Sequence, residues 1–112
     1  YENYYVGTVE GEGPTFDDVK AALAENGTYK RVVLEPLMVV AGDHANNDMA
    51  GDEEDSWKSG LEADGYEVKC LLNGLGELAE VRDQYVAHTQ AAIDSLADYS
   101  HTYWAYYASR FQ

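Results

Sequence analysis

Apolar and polar positions along the chain alternate with two different periods. Residues 4–9, "YYVGTV", are aromatic and β-branched and predict a strand. In "GPTFDDVKAALAENG" (13–27), Phe16, Val19 and Leu23 recur at helical spacing, with Thr15 as candidate N-cap, Asp18 three residues on, and Gly27 as the stop. The run "RVVLEPLMVV" (31–40) is almost continuously apolar, as in strands buried on both faces of a parallel sheet, although Pro36 interrupts its ladder. Trp57 and Leu61 lie one turn apart in "DEEDSWKSGLEADG", a short helix in which Glu54 and Lys58 can pair and which Gly65 closes. A further strand is predicted over 66–72, "YEVKCLL". From Leu78 the spacing Leu78, Val81, Tyr85, Ala92, Leu96, Tyr99 traces an apolar stripe on a long helix.

Alternation of strands and helices implies right-handed βαβ units. The predicted fold class is therefore α/β, an open parallel β-sheet flanked by helices in a three-layer α/β/α lobe, with residues 1–112 as a single domain. Such sheets bind ligands outside the carboxyl ends of their strands. Three loops lie there: "EGEGP" (10–14), "AGDHANND" (41–48) and "NGLGE" (73–77), each with glycine and an acidic residue. Glu10 and His44 could thus face one cleft.

Each of these residues has two readings. His44 is either a metal ligand or acid/base group, or a helix-start residue bonded to nearby backbone. Glu10 either acts on a ligand or is merely solvated past its strand. The run "DEEDSW" fits the acidic first turns of a helix better than a metal cage. "GLGELA" imitates a dinucleotide fingerprint, but no strand follows its helix, so no nucleotide is expected. Asn26-Gly27-Thr28 matches a glycosylation sequon, which the helix-terminating turn explains better. His88 and His101 fall in the helical run and read as structural or exposed, and Cys70 as a small apolar packing residue.

Composition narrows the partners. At 112 residues, 46% of them apolar, the chain can bury roughly two thirds of its unfolded surface around one core. Seven basic residues against 21 acidic give a net charge of −14. Nucleic acid is therefore not an expected partner, since phosphate affinity depends on lysine and arginine. Cations are attracted instead. A single cysteine allows no internal disulfide. No stretch approaches the roughly 20 apolar residues that span a bilayer, so no membrane partner is expected. The chain starts without Met in a strand-like run and reads as a piece of a longer protein. A cytoplasmic location is expected, with a periplasmic one left open by the absent N-terminus.

"LEPLMVVAGDHANNDMAGDEEDSWKS" (34–59), preceded by "VGTVEG" (6–11) and followed by "NGLGELAEVRDQYVAH" (73–88), resembles the C-terminal half of the anaerobic sirohydrochlorin cobaltochelatases, the CbiK-type class II chelatases. The resemblance covers roughly residues 4–95. It implies ATP-independent insertion of cobalt(II), as substrate metal, into the tetrapyrrole sirohydrochlorin during cobalamin biosynthesis. It further implies two α/β lobes with the substrate between them. The family's metal-binding histidine falls on His44 and its "VEG" glutamate on Glu10, which makes these the expected catalytic and metal residues. Glu12 is a weaker candidate, because the loop looks one residue longer than usual. Gly11, Gly42, Asp43, Gly74 and Gly76 are the expected substrate-binding positions. Another histidine of the family belongs to the N-terminal lobe and has no counterpart here.

The chemistry of these residues agrees with that implication. Imidazole nitrogen and carboxylate oxygen suit cobalt(II), and an open site can hand its ion to a macrocycle. Neutral His or ionised Glu can accept the two pyrrole protons displaced by the metal. Asp43 is a candidate to orient His44. The stripe extended through Val81, Tyr85, Leu96, Tyr99, Tyr103 and Trp104 supplies more apolar area than one sheet needs, so a partner is expected, either the N-terminal lobe or a second copy. Besides the chelatase reading, a non-catalytic tetrapyrrole or metal carrier and an inactive fragment remain open.

Overall fold

In the computed structural model, the structure describes residues 2–110, with the side chains of 98–108 outside the description. Element order is α1 (Phe16–Asn26), β1 (Arg31–Leu34), a π-helical turn (His44–Met49), α2 (Trp57–Ala63), β2 (Glu67–Cys70), a 3-10 turn (Leu75–Glu77) and α3 (Ala79–Arg110). The chain divides into two compact units, the first running to Leu75 and the second starting at Gly76.

Helix α1 begins where the sequence places it. Thr15 and Asp18 exchange bonds in a capping box: the Thr15 amide donates to Asp18 Oδ2 at 2.7 Å and the Asp18 amide donates to Thr15 Oγ1 at 3.2 Å. At the other end Gly27 is left-handed, with φ +67°, and its amide donates to the Leu23 carbonyl. The sequon side chain is occupied in this turn, since Asn26 Oδ1 accepts from the Thr28 hydroxyl.

Strands β1 and β2 pair in parallel, with Val32 opposite Val68 and Leu34 opposite Cys70. The α/β class is therefore observed, with a parallel sheet of two strands among the described residues. Val32 and Leu34 point into a core with Val19 and Leu23 of α1, Met49 of the π turn and Leu61 of α2. Val33, on the other face, is exposed. Burial on one face gives a strand its period of two, which the unbroken apolar run had hidden.

Two strand expectations are corrected. Residues 4–8 form no ladder; the Thr8 amide bonds the Pro14 carbonyl, and Gly7 lies against Trp57 and Val19 without a strand beside it. An extended segment becomes a strand only when a neighbour satisfies its amides. Strand β1 ends at Leu34 rather than 40, because Pro36 has no amide to donate and is itself buried.

A third correction concerns α2. Its N-cap is Ser56, which is 1% exposed, accepts from the Ser59 amide and donates to the Gly51 carbonyl. Residues 52–55 thus precede the helix instead of forming its first turns, and Glu54 has no helical relation to Lys58. Lys58 pairs with Asp52 at 2.7 Å instead. Trp57 stacks on Phe16 with centroids 4.7 Å apart, joining α2 to α1, and Gly65 closes the helix at φ +94°.

Helix α3 carries the predicted stripe. Tyr85 and Leu96 are exposed, as is Leu78 in the bend just before the helix, whereas the side chains of Tyr99, His101, Tyr103 and Trp104 lie outside the described residues.

Thr15→Ala should lower stability by about 1 kcal/mol in denaturant unfolding at neutral pH. The Thr15 backbone bond, and then its hydroxyl, hold the Asp18 carboxyl below the usual aspartate range. A depressed folded value means a contribution present above the unfolded value and lost as pH falls through the folded one. The stability gap between the protein and Asp18→Asn should therefore narrow on acidification, and a gap independent of pH would show that the cap does not need the charge.

Candidate active site

Beyond β1 the chain runs through 35–42 into the π-helical turn, and local chemistry explains how this turn is held. Ala45 and Met49 point inward, 0% and 4% exposed, so the positions between them face out. The turn is wider than an α-helix: the Ala50 amide reaches back five residues to the Ala45 carbonyl at 3.2 Å. Gly51 ends it, because a Cβ there would collide with the Asn47 backbone.

Each outward polar side chain has a task. Asn46 Nδ2 donates to the carbonyls of Ala41 and Gly42, at 3.0 and 2.8 Å, and so fastens the loop to the turn. Asn47 Nδ2 donates to Asp43 Oδ1 at 2.5 Å. Asp48 Oδ2 lies 2.5 Å from His44 Nδ1. The expectation that Asp43 orients His44 is therefore replaced. Adjacent side chains on a helical turn diverge, whereas residues four apart share a face. The signal in the sequence is the spacing of His44 and Asp48, which brings the two together only because the chain turns helically from His44.

Glu10 belongs to a separate loop. The Thr8 amide and hydroxyl both donate to the Pro14 carbonyl, at 2.8 and 3.1 Å, which closes the base of a loop carrying Glu10 and Glu12, both exposed. Gly11 sits at φ +109°, a conformation that side chains rarely adopt. The carbonyl of Glu12 is 3.5 Å from the Thr8 hydroxyl.

Electrostatics connect the two loops. The His44 imidazole is held above its ordinary value, first by the hydrogen bond to Asp48 and next by the negative charge of Glu10, with Asp43 adding a smaller push. Glu10 is thus close enough for its charge to be felt at the imidazole. Among the described residues no three His, Cys, Asp or Glu side chains gather to hold a metal ion. His44 and Glu10 would leave coordination positions open to other donors.

The candidate glycines differ from one another. Around Gly42 there is open space. Gly74 is buried: a Cβ there would lie 2.5 Å from the Val39 carbonyl oxygen and 2.9 Å from the Ala41 amide. The Leu75 amide donates to the Met38 carbonyl at 2.7 Å, so the loop after β2 braces the loop that leads to His44. Gly76 opens the second unit, where its carbonyl accepts from Arg82 at 3.0 Å. His88 is exposed on α3, and burial raises the Cys70 thiol, which packs against the core.

Fold and site together define an α/β protein with an imidazole and carboxylates at the carboxyl end of a parallel sheet, donors suited to a borderline divalent metal. The chain belongs to the cobalt chelatase (CbiK) family, whose model matches residues 1–94. It is 45% identical over 89 residues to the sirohydrochlorin cobaltochelatase of Salmonella typhimurium, covering 80% of this chain and 33% of that protein. It is also 39% identical over 94 residues to the sirohydrochlorin cobaltochelatase CbiKC of Nitratidesulfovibrio vulgaris, covering 84% of this chain and 33% of the relative. The match thus spans about a third of the length of these curated relatives.

Gly74→Ala should cost roughly 1–3 kcal/mol, because the atoms in its way are backbone. Gly42→Ala should stay within about 0.5 kcal/mol. Equal denaturation midpoints for the two variants would contradict the bracing role of Gly74.

Proposed function

We propose that this chain is the metal-presenting part of a sirohydrochlorin cobaltochelatase, inserting cobalt(II) into the tetrapyrrole without ATP and together with a second lobe or a second copy. One observation carries the reading: in a chain 45% identical to a sirohydrochlorin cobaltochelatase, the His44 ring is fixed through Nδ1 while Nε2 has no hydrogen bond among the described residues, and the charge of Glu10 acts on it. A nitrogen lone pair beside a carboxylate is a donor set for cobalt(II) with room for the incoming macrocycle. As the metal enters the ring the two pyrrole N–H bonds break and their protons pass to neighbouring bases, for which Glu10 is the candidate while His44 holds the ion.

The charge of the chain divides the work. At −14 it concentrates cations and repels a polycarboxylate, so the tetrapyrrole must be held by loop amides or by the additional lobe. Exposed Val33, Leu37 and Val40 in the first unit, and Tyr85, Val86, Ile93 and Leu96 on α3, are apolar surface that such an addition would cover.

His44→Ala should abolish cobalt(II) binding, read by visible absorption, while leaving stability within about 1 kcal/mol, as befits a half-exposed residue outside the core. Unchanged cobalt affinity in that variant would end the reading. For turnover, the protein is assayed anaerobically with sirohydrochlorin and cobalt(II), both by itself and joined to the lobe that completes a two-lobed chelatase. Glu10→Gln in the completed enzyme should slow insertion about 100-fold. Cobalt binding without insertion in any assembly would point to a carrier instead.

A further inference from the structure

Resting on the reading of His44 as the metal ligand, we propose that Asp48 is its positioning residue: by accepting a hydrogen bond from Nδ1–H it fixes the ring and its tautomer, leaving the Nε2 lone pair for the metal. The argument is geometric. His44 Nδ1 and Asp48 Oδ2 are 2.5 Å apart, so the ring and the carboxylate are directly bonded. Neutral imidazole carries one proton, and the partner of one nitrogen decides which nitrogen keeps it. With a carboxylate at Nδ1, the proton stays there and Nε2 is the free donor.

The surroundings keep Asp48 in place. Ala45 and Met49 anchor the turn in the core on either side of it, and Asn46 fastens the same turn to Ala41 and Gly42. The carboxylate of Asp43 is engaged by Asn47, which leaves Asp48 as the carboxylate bonded to the ring. A carboxylate bonded to the second nitrogen of a metal-binding histidine typically matters 10–100-fold in metal affinity. An ordinary surface pair at this spacing would stabilise the turn slightly and leave metal binding untouched.

The test reads the ring and the metal separately. Nitrogen-15 NMR of metal-free protein at alkaline pH should show His44 as the Nδ1–H tautomer. Asp48→Ala should shift it toward the Nε2–H form that free histidine prefers. Asp48→Glu, which retains an acceptor-only carboxylate, should keep the original tautomer. In cobalt(II) titrations followed by visible absorption, Asp48→Ala should lose about 10–100-fold in affinity and Asp48→Glu less. Circular dichroism checks that both variants remain folded, and if Asp48→Ala does not, the wild-type and Asp48→Glu spectra still decide. An Nε2–H tautomer in wild type, or a tautomer and cobalt affinity unmoved in folded Asp48→Ala, would overturn the proposal. If cobalt(II) fails to bind even the wild type, the chelatase reading falls, while the NMR spectra still decide whether Asp48 sets the ring.

Discussion

The parallel pairing of β1 with β2 is the constraint on which the first unit depends. Because the strands run the same way, with Leu34 beside Cys70, both connections leave at one end of the sheet. The ladder then continues past the strands, through the bonds of Leu71 to Leu34 and of Leu75 to Met38. Two short strands would be marginal by themselves in water. Here one face is filled by Val19, Leu23 and Leu61 from two helices, so the sheet is stabilised by burial more than by the number of its hydrogen bonds. The site inherits this rigidity, since Gly74 lets two backbones touch where any side chain would force them apart.

The π-helical turn converts that rigidity into chemistry. Its inward residues are small or flexible and its outward ones polar, so one short segment serves as both core and site. The oxygen-rich sequence after His44 is thereby explained. Asn46, Asn47 and Asp48 hold the loop, Asp43 and the imidazole in turn.

Legibility from sequence followed how local each determinant is. The α1 boundaries could be read because Thr15, Asp18 and Gly27 act within one turn of chain. The apolar run 31–40 predicts a longer strand than Arg31–Leu34, because it does not reveal that Val33 faces out and that Pro36, itself buried, ends the pairing. The segment 4–8 has the composition of a strand, but a strand also needs a neighbour, which composition does not specify. The pairing of Asp48 with His44 is not legible in composition, because it depends on the helical turn that brings the two together. The resemblance of residues 34–59 did identify the family, because long motifs carry information that periodicity lacks.

The closed base of the Glu10 loop bears on how that residue moves. Gly7 is wedged between Trp57 and Val19, and Thr8 is latched to Pro14, so the few residues between are a lariat with a fixed knot. Fluctuations of the tip need not travel into α1 or the core. Were Glu10 the proton acceptor proposed above, such a tether would let its carboxylate sweep a short arc while the base of the loop stays fixed.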